Sequence, residues 1–211
     1  MHIALIGATG HIGRHIAREA LRRGHAVTAL VRNAQPRPPE LDGASIVLAS
    51  LDDRAALAAA VRGHDVLASA YGPGAAAADT IPGVAQTLID VARSAGVRRL
   101  LVVGGAGSLE VAPGLQLVDT PDFPDAYKPY ALAHRAALQH LQAAADLDWT
   151  FYAPAAEIGP GDQRGGVRTQ ATALLGDAQG HSAISYADYA SAFVDEIERP
   201  QYLRQIATAA Y

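Results

Sequence analysis

Short unbroken apolar runs alternate along this chain with stretches in which apolar residues return every three or four positions. Ile3–Ile6 is the first such run, and Ile12, Ile16, Ala17, Ala20 and Leu21 carry helical spacing through the segment Arg14–Arg23 behind it. The same alternation predicts strands at Ala26–Val31, Ser45–Leu48, Asp65–Ala70, Arg98–Val103 and Trp149–Ala153. Helices are predicted at Arg54–Val61, Ile81–Ala95 and Ala126–Ala145, with Asp52 or Asp53 capping the first and Gly96 stopping the second. Strands that are apolar throughout are buried on both faces, so this order implies an α/β architecture with a doubly wound parallel sheet.

Two stretches break the rhythm. Asn33–Gly43 is proline-rich and reads as a surface loop, and Gly104–Pro124, rich in glycine, proline and aspartate, reads as a long loop after the fifth strand. Ligands of an open parallel sheet sit beyond the C-terminal strand edges, so the second loop is placed to line a pocket. After Gly159 the pattern is irregular up to Gly180, followed by a helix from about Ala187 to Glu198 and a short strand near Ile206–Ala209. The tail is too short for an independent domain. It predicts one domain over residues 1–211, with about 155–211 contributing a small, variable, substrate-side lobe.

Between the first strand and the first helix lies Gly7-Ala8-Thr9-Gly10-His11-Ile12-Gly13. Strand, glycine-rich turn and helix in this order form the context of dinucleotide binding in a Rossmann-type fold. Gly7 permits the tight turn, Gly10 lets backbone approach a pyrophosphate, and Gly13 lets the helix pack closely. Thr9, His11 and Ile12 belong to the same cradle, where the helix N-terminus offers free N–H groups to phosphate. The second strand ends in Arg32-Asn33, with no acid before Glu40. A guanidinium there suits a 2′-phosphate, which favours NADP(H) over NAD(H); the plainer alternative is a solvated arginine at a strand end. Strand order adds Leu51 and Asp52 against adenine, Ala70, Tyr71 and Gly72 across the middle of the cofactor, and Gly104, Gly105, Ala106 and Pro154 around the nicotinamide.

Composition removes several alternatives. The 211 residues are 50% hydrophobic and carry a net charge of −4 with no basic stripe, which argues against nucleic acid. Absence of cysteine excludes disulfides and thiolate catalysis. The apolar start is too short for a signal peptide or membrane span, so the expectation is a cytoplasmic protein without a membrane partner. Oligomeric state is not readable. His11 and His15, four residues apart, form the one metal-like pair at the turn, but no carboxylate completes it and no metal is expected.

The Tyr-x-x-x-Lys proton relay of short-chain dehydrogenases cannot form, because Lys128 is the sole lysine and Pro124 lies four residues before it. Tyr130 and His134 could share a helix face, and Ser108 follows the fifth strand where such enzymes orient a carbonyl. These three are the catalytic candidates; for Tyr130 and His134 the simpler possibility is a surface tyrosine and histidine at ordinary spacing.

The chain resembles the atypical short-chain dehydrogenase/reductase proteins grouped as NAD(P)H-flavin reductases, relatives of NmrA-like and biliverdin reductase B-like proteins. The resemblance spans essentially the whole chain. Its carriers are the glycine turn, Val31-Arg32-Asn33, the run Val102–Leu109, the loop Leu117–Pro124 with Tyr127-Lys128, and Ile184–Ala190. Ser50 stands where relatives often have aspartate. The resemblance implies a Rossmann fold binding NADP(H) or NAD(H), a small variable lobe and no tyrosine–lysine pair. It fits a chain that passes hydride to a flavin or quinone-like acceptor, flavin being substrate rather than a tightly bound group. It fits equally a non-catalytic NADP(H) sensor of NmrA-like type, and less well a sugar or carbonyl reductase using Tyr130, His134 or Ser108.

Overall fold

Neighbouring residues of the first strand, β1 (His2–Ile6), point into different cores. In this computed structural model, which describes residues 1–34 and 37–211, Ile3 and Leu5 pack on one face of the central sheet and Ala4 and Ile6 on the other. An apolar strand interior demands such two-sided cover. The chain continues through α1 (His11–Arg22), β2 (Ala26–Val31), β3 (Ser45–Leu48), α2 (Arg54–Val61), β4 (Val66–Ser69), α3 (Thr80–Ala95) and β5 (Arg99–Val103). A hairpin of β6 (Glu110–Ala112) and β7 (Leu115–Gln116) precedes α4 (Lys128–Gln142) and β8 (Asp148–Pro154). The remainder forms β9 (Glu157–Gly159), β10 (Arg168–Ala171), β11 (Ala183–Ser185), α5 (Tyr186–Glu198) and β12 (Gln205–Ala210).

The main sheet has the order β10-β12-β8-β5-β4-β1-β2-β3 and is parallel except at β10, which runs antiparallel to β12. Strand order reverses between β1 and β4, which opens a crevice above their C-terminal ends. Helices α2, α3 and α4 bury Leu57, Leu88 and Leu138 on one face, and α1 and α5 bury Ile16, Tyr189 and Phe193 on the other. Arg23, just past α1, ties that second layer together. It donates to Glu19 on its own helix and to Asp195, Glu198 and the Ser191 hydroxyl of α5.

Helix ends follow the sequence signals. Asp53 accepts a 3.0 Å bond from the Ala56 N–H and is the cap of α2. Gly96 stops α3 in the left-handed region at φ 73°. The predicted Asn33–Gly43 loop includes residues 35–36, which lie outside the described residues; a 3-10 turn, Pro39–Leu41, falls within it. The Gly104–Pro124 loop contains the β6–β7 hairpin and short 3-10 turns.

The tail divides. β12 pairs with β8 and β10 pairs with β12, so both widen the main sheet while α5 covers it. β9 and β11 pair in parallel as a separate two-stranded sheet. Asp188, buried near the start of α5, organises the loop before β10. It accepts bonds from the Arg164 and Gly165 N–H groups at 2.9 and 3.0 Å and from the Tyr211 phenol at 2.7 Å. Burial alone would raise its pKa, but these bonds outweigh it and hold the carboxyl below its ordinary value. No helix among the described residues is long and apolar enough to cross a membrane.

Candidate active site

The turn after β1 is shaped by close backbone packing. Gly7 has φ 76°, and a Cβ there would lie 2.6 Å from the Ala70 carbonyl carbon at the end of β4. A Cβ on Gly13 would lie 2.8 Å from the Gly7 carbonyl carbon. These two contacts bring strand ends and helix start together at the point where strand order reverses. Gly10 begins α1 with no side-chain cap and no acid in the first turn, so the first N–H groups remain available to a ligand.

Two adjoining cavities extend from this turn along the strand ends. One, of about 580 Å³, is lined by Gly7, Thr9 and Gly10, by Arg32 after β2, and by Ser50, Leu51 and Asp52 after β3. Arg32 is exposed and has no ion-pair partner among the described residues. Since Asp53 caps α2, Asp52 is left at the cavity, where its carboxylate accepts a 3.2 Å bond from the Ser50 hydroxyl. The second cavity, of about 710 Å³, begins at Ile12 and is floored by Val103–Gly107, from the last residue of β5 onward, and by Pro154 and Ala155 at the end of β8. Ala70, Tyr71 and Gly72 line both.

The glycines after β5 let that floor lie close to its neighbours. A Cβ at Gly104 would meet the Phe151 ring, at 2.8 Å from Cζ. One at Gly105 would lie 3.0 Å from His134 Cγ, and one at Gly107 2.7 Å from Ala131 Cβ. The loop is thereby seated on α4, which brings Tyr130 and His134 to the second cavity. Their rings meet edge-on at a centroid distance of 4.8 Å.

Their protonation differs from that of a proton relay. Burial drives the His134 pKa down to about 4, leaving it neutral at physiological pH, and its Nδ1 has no hydrogen-bond partner among the described residues. Burial, reinforced by Tyr71, pushes the Tyr130 phenol above its ordinary value. A phenol that must serve as a base needs the opposite shift, which a nearby cation supplies. Lys128 does not line the cavity.

The other sequence candidates fall into place unevenly. Ser108 is only 2% exposed, its hydroxyl has no partner among the described residues, and it lines neither cavity. His11 also lines neither. Its ring and that of His15 stand 5.9 and 5.5 Å from the Tyr186 ring, in the contact between α1 and α5. The remaining cofactor candidates outside Gly13 all line one cavity or both. Asp122, Phe123 and Pro124, in the loop expected to line a pocket, form a wall of the second cavity, joined by Glu157 and by Tyr127, expected inside the Ala126–Ala145 helix but lying in a 3-10 turn before α4. Glu157 reaches it on β9, a strand that exists only through pairing with β11, so no local pattern announces it.

An elongated cleft across the reversal point, a tight glycine cradle and an uncapped helix start fit a nicotinamide dinucleotide. A family model described as NAD(P)H-binding matches residues 7–200. The uncharacterized protein YwnB of Bacillus subtilis is 38% identical over 205 residues, covering 96% of this chain and 94% of its own. Among solved structures, a chain from Burkholderia pseudomallei named "putative exported protein" is 57% identical, with a TM-score of 0.93 and both chains fully covered. One from Streptococcus pneumoniae named "putative NADH-flavin reductase" is 32% identical, with a TM-score of 0.90, covering 100% of this chain and 99% of that one.

Proposed function

This chain belongs to the NAD(P)H-binding family, and on that premise we propose that it is an NADPH-preferring oxidoreductase passing hydride to a flavin or quinone-like acceptor. The observation that carries this reading is the second cavity. It joins the dinucleotide cleft at Ala70–Gly72, has an aromatic wall, and contains no tyrosine–lysine relay. Bound NAD(P)H supplies a hydride, one proton with two electrons, which together with a proton from water converts the acceptor to its dihydro form and leaves NAD(P)⁺. Such a transfer asks the protein mainly for orientation and for exclusion of water.

In this reading the N–H groups of the Gly7–Gly13 turn hold the pyrophosphate, with Thr9 and Ile12 shaping its path. Arg32 meets the 2′-phosphate, and Leu51 and Asp52 flank the adenosine. Tyr71 and Gly72 bridge the two halves. Gly104–Ala106 and Pro154 support the nicotinamide face, and Tyr130 stands opposite Gly72, its hydroxyl 3.2 Å from where a Gly72 Cβ would be. The flavin-reductase name of the streptococcal relative supports the choice of acceptor.

Loss of reduced-nicotinamide absorbance, measured with flavins and quinones against the free-solution rate, tests the reading. Protein-dependent turnover is expected. Tight NADPH binding without turnover would overturn it and favour an NADP(H)-sensing role of NmrA-like type.

A further inference from the structure

Among the described lining residues, the one cationic side chain belongs to one half of the cleft. The dinucleotide half has Arg32 and the uncapped start of α1. Among the described residues, no lysine or arginine lines the acceptor half. The basic residues nearest in sequence are on α4: Lys128, next to Tyr127, is exposed and is not among the lining residues, and Arg135 is bound to Asp119 at 2.7 Å and to Gln116 at 3.1 Å. The charged side chains that do reach this half are both acidic: Asp122 from the loop before α4 and Glu157 from β9. Both residues are exposed while the floor at Val103 and Ala155 is buried, which puts the carboxylates at the rim. Neither makes an ion pair among the described residues. His134, neutral through burial, adds no compensating charge.

From this charge distribution we infer that the acceptor is an uncharged planar aromatic ring system, and that flavins bearing phosphate are selected against at the rim. The inference rests on the hydride-transfer reading and narrows its acceptor. Leu117, Phe123, Pro124 and Tyr130 offer apolar and aromatic surface to a flat ring. A phosphate entering beside Asp122 and Glu157 meets two like charges and no lysine or arginine among the described residues that line the cavity. Riboflavin and neutral quinones satisfy this wall, whereas FMN, with the same ring, carries the penalty.

Flavin fluorescence titrations of the protein saturated with NADP⁺ measure this without turnover, and KM values for NADPH oxidation provide a second reading. Riboflavin is expected to bind about fivefold or more tightly than FMN at low ionic strength, the gap narrowing as salt screens the rim. Asp122→Asn with Glu157→Gln is expected to narrow the same gap. FMN binding as tightly as riboflavin, or a gap that neither salt nor the double variant changes, overturns the inference while leaving hydride transfer intact. Failure of riboflavin, FMN and menadione alike to bind or be reduced, in protein that binds NADPH, overturns both.

Discussion

Replacing Gly13 with alanine tests whether the cradle holds its ligand through backbone geometry. The new methyl would lie 2.8 Å from the Gly7 carbonyl carbon and 3.1 Å from Ala8 Cα, closer than real Cβ atoms are normally found. Both neighbours are backbone, so no side-chain rotation relieves the contact. The Gly7 carbonyl oxygen is nearer still, so opening the first distance from 2.8 Å to an ordinary 3.4 Å sets the least separation of turn from helix, about 0.6 Å. Helix α1 cannot simply slide away, because Arg23 anchors its far end to α5. The displacement therefore falls on the first turn, where the free N–H groups lie. One hydrogen bond to a charged group is worth about 1.5–3 kcal/mol, so losing one weakens NADPH binding about 10- to 100-fold. Overpacking costs a further ~1–3 kcal/mol of stability. Calorimetric titration with NADPH and thermal unfolding measure the two effects. Gly83→Ala is the control: that exposed position in α3 has open space around its would-be Cβ, and the change stabilises by up to about 1 kcal/mol without altering binding. A Gly13→Ala protein that binds NADPH within about twofold of the parent would refute the geometric account.

Arg32→Ala is expected to abolish a larger melting-temperature rise with NADPH than with NADH; an unchanged preference would make Arg32 a solvated strand-end residue. Tyr130→Phe is expected to retain most acceptor reduction, since direct hydride transfer does not require its proton. A rate loss of about 10²-fold or more, the size of removing a general acid, would refute that. Asp188 contributes stability at neutral pH that is lost as the pH falls through 3.8 and on past its lowered folded value. Asp188→Asn is therefore expected to cost about 1–3 kcal/mol at neutral pH and to flatten the acid dependence, as read from denaturant unfolding across the acid range. An acid dependence identical to the parent's would refute that assignment.

The doubly wound sheet was legible because its strands are short and apolar and its helices periodic, as in Ile3–Ile6 and Ile81–Ala95. The cradle was legible because its backbone demands fall on glycines spaced three residues apart. The acceptor wall was only half legible. The loop before α4 could be placed by strand order, but the contributions of Phe123 and Tyr127 depend on how it folds back. Glu157 depends on β11, 26 residues away in the Glu157–Ala183 pairing, and a three-residue strand leaves no periodic trace. Spacing suggested the Tyr130–His134 face, but only tertiary packing reveals that burial leaves the imidazole neutral and lifts the phenol.

The contact between α1 and α5 also has a history in time. Arg23 and Asp195 are separated by 172 residues, so the helix that begins with the cradle is synthesised long before the helix that covers its apolar face. Until Tyr189 and Phe193 arrive, Ile16 and Ala17 lack the partners that hold them in the finished core. The cradle is thus made before the support that steadies its helix.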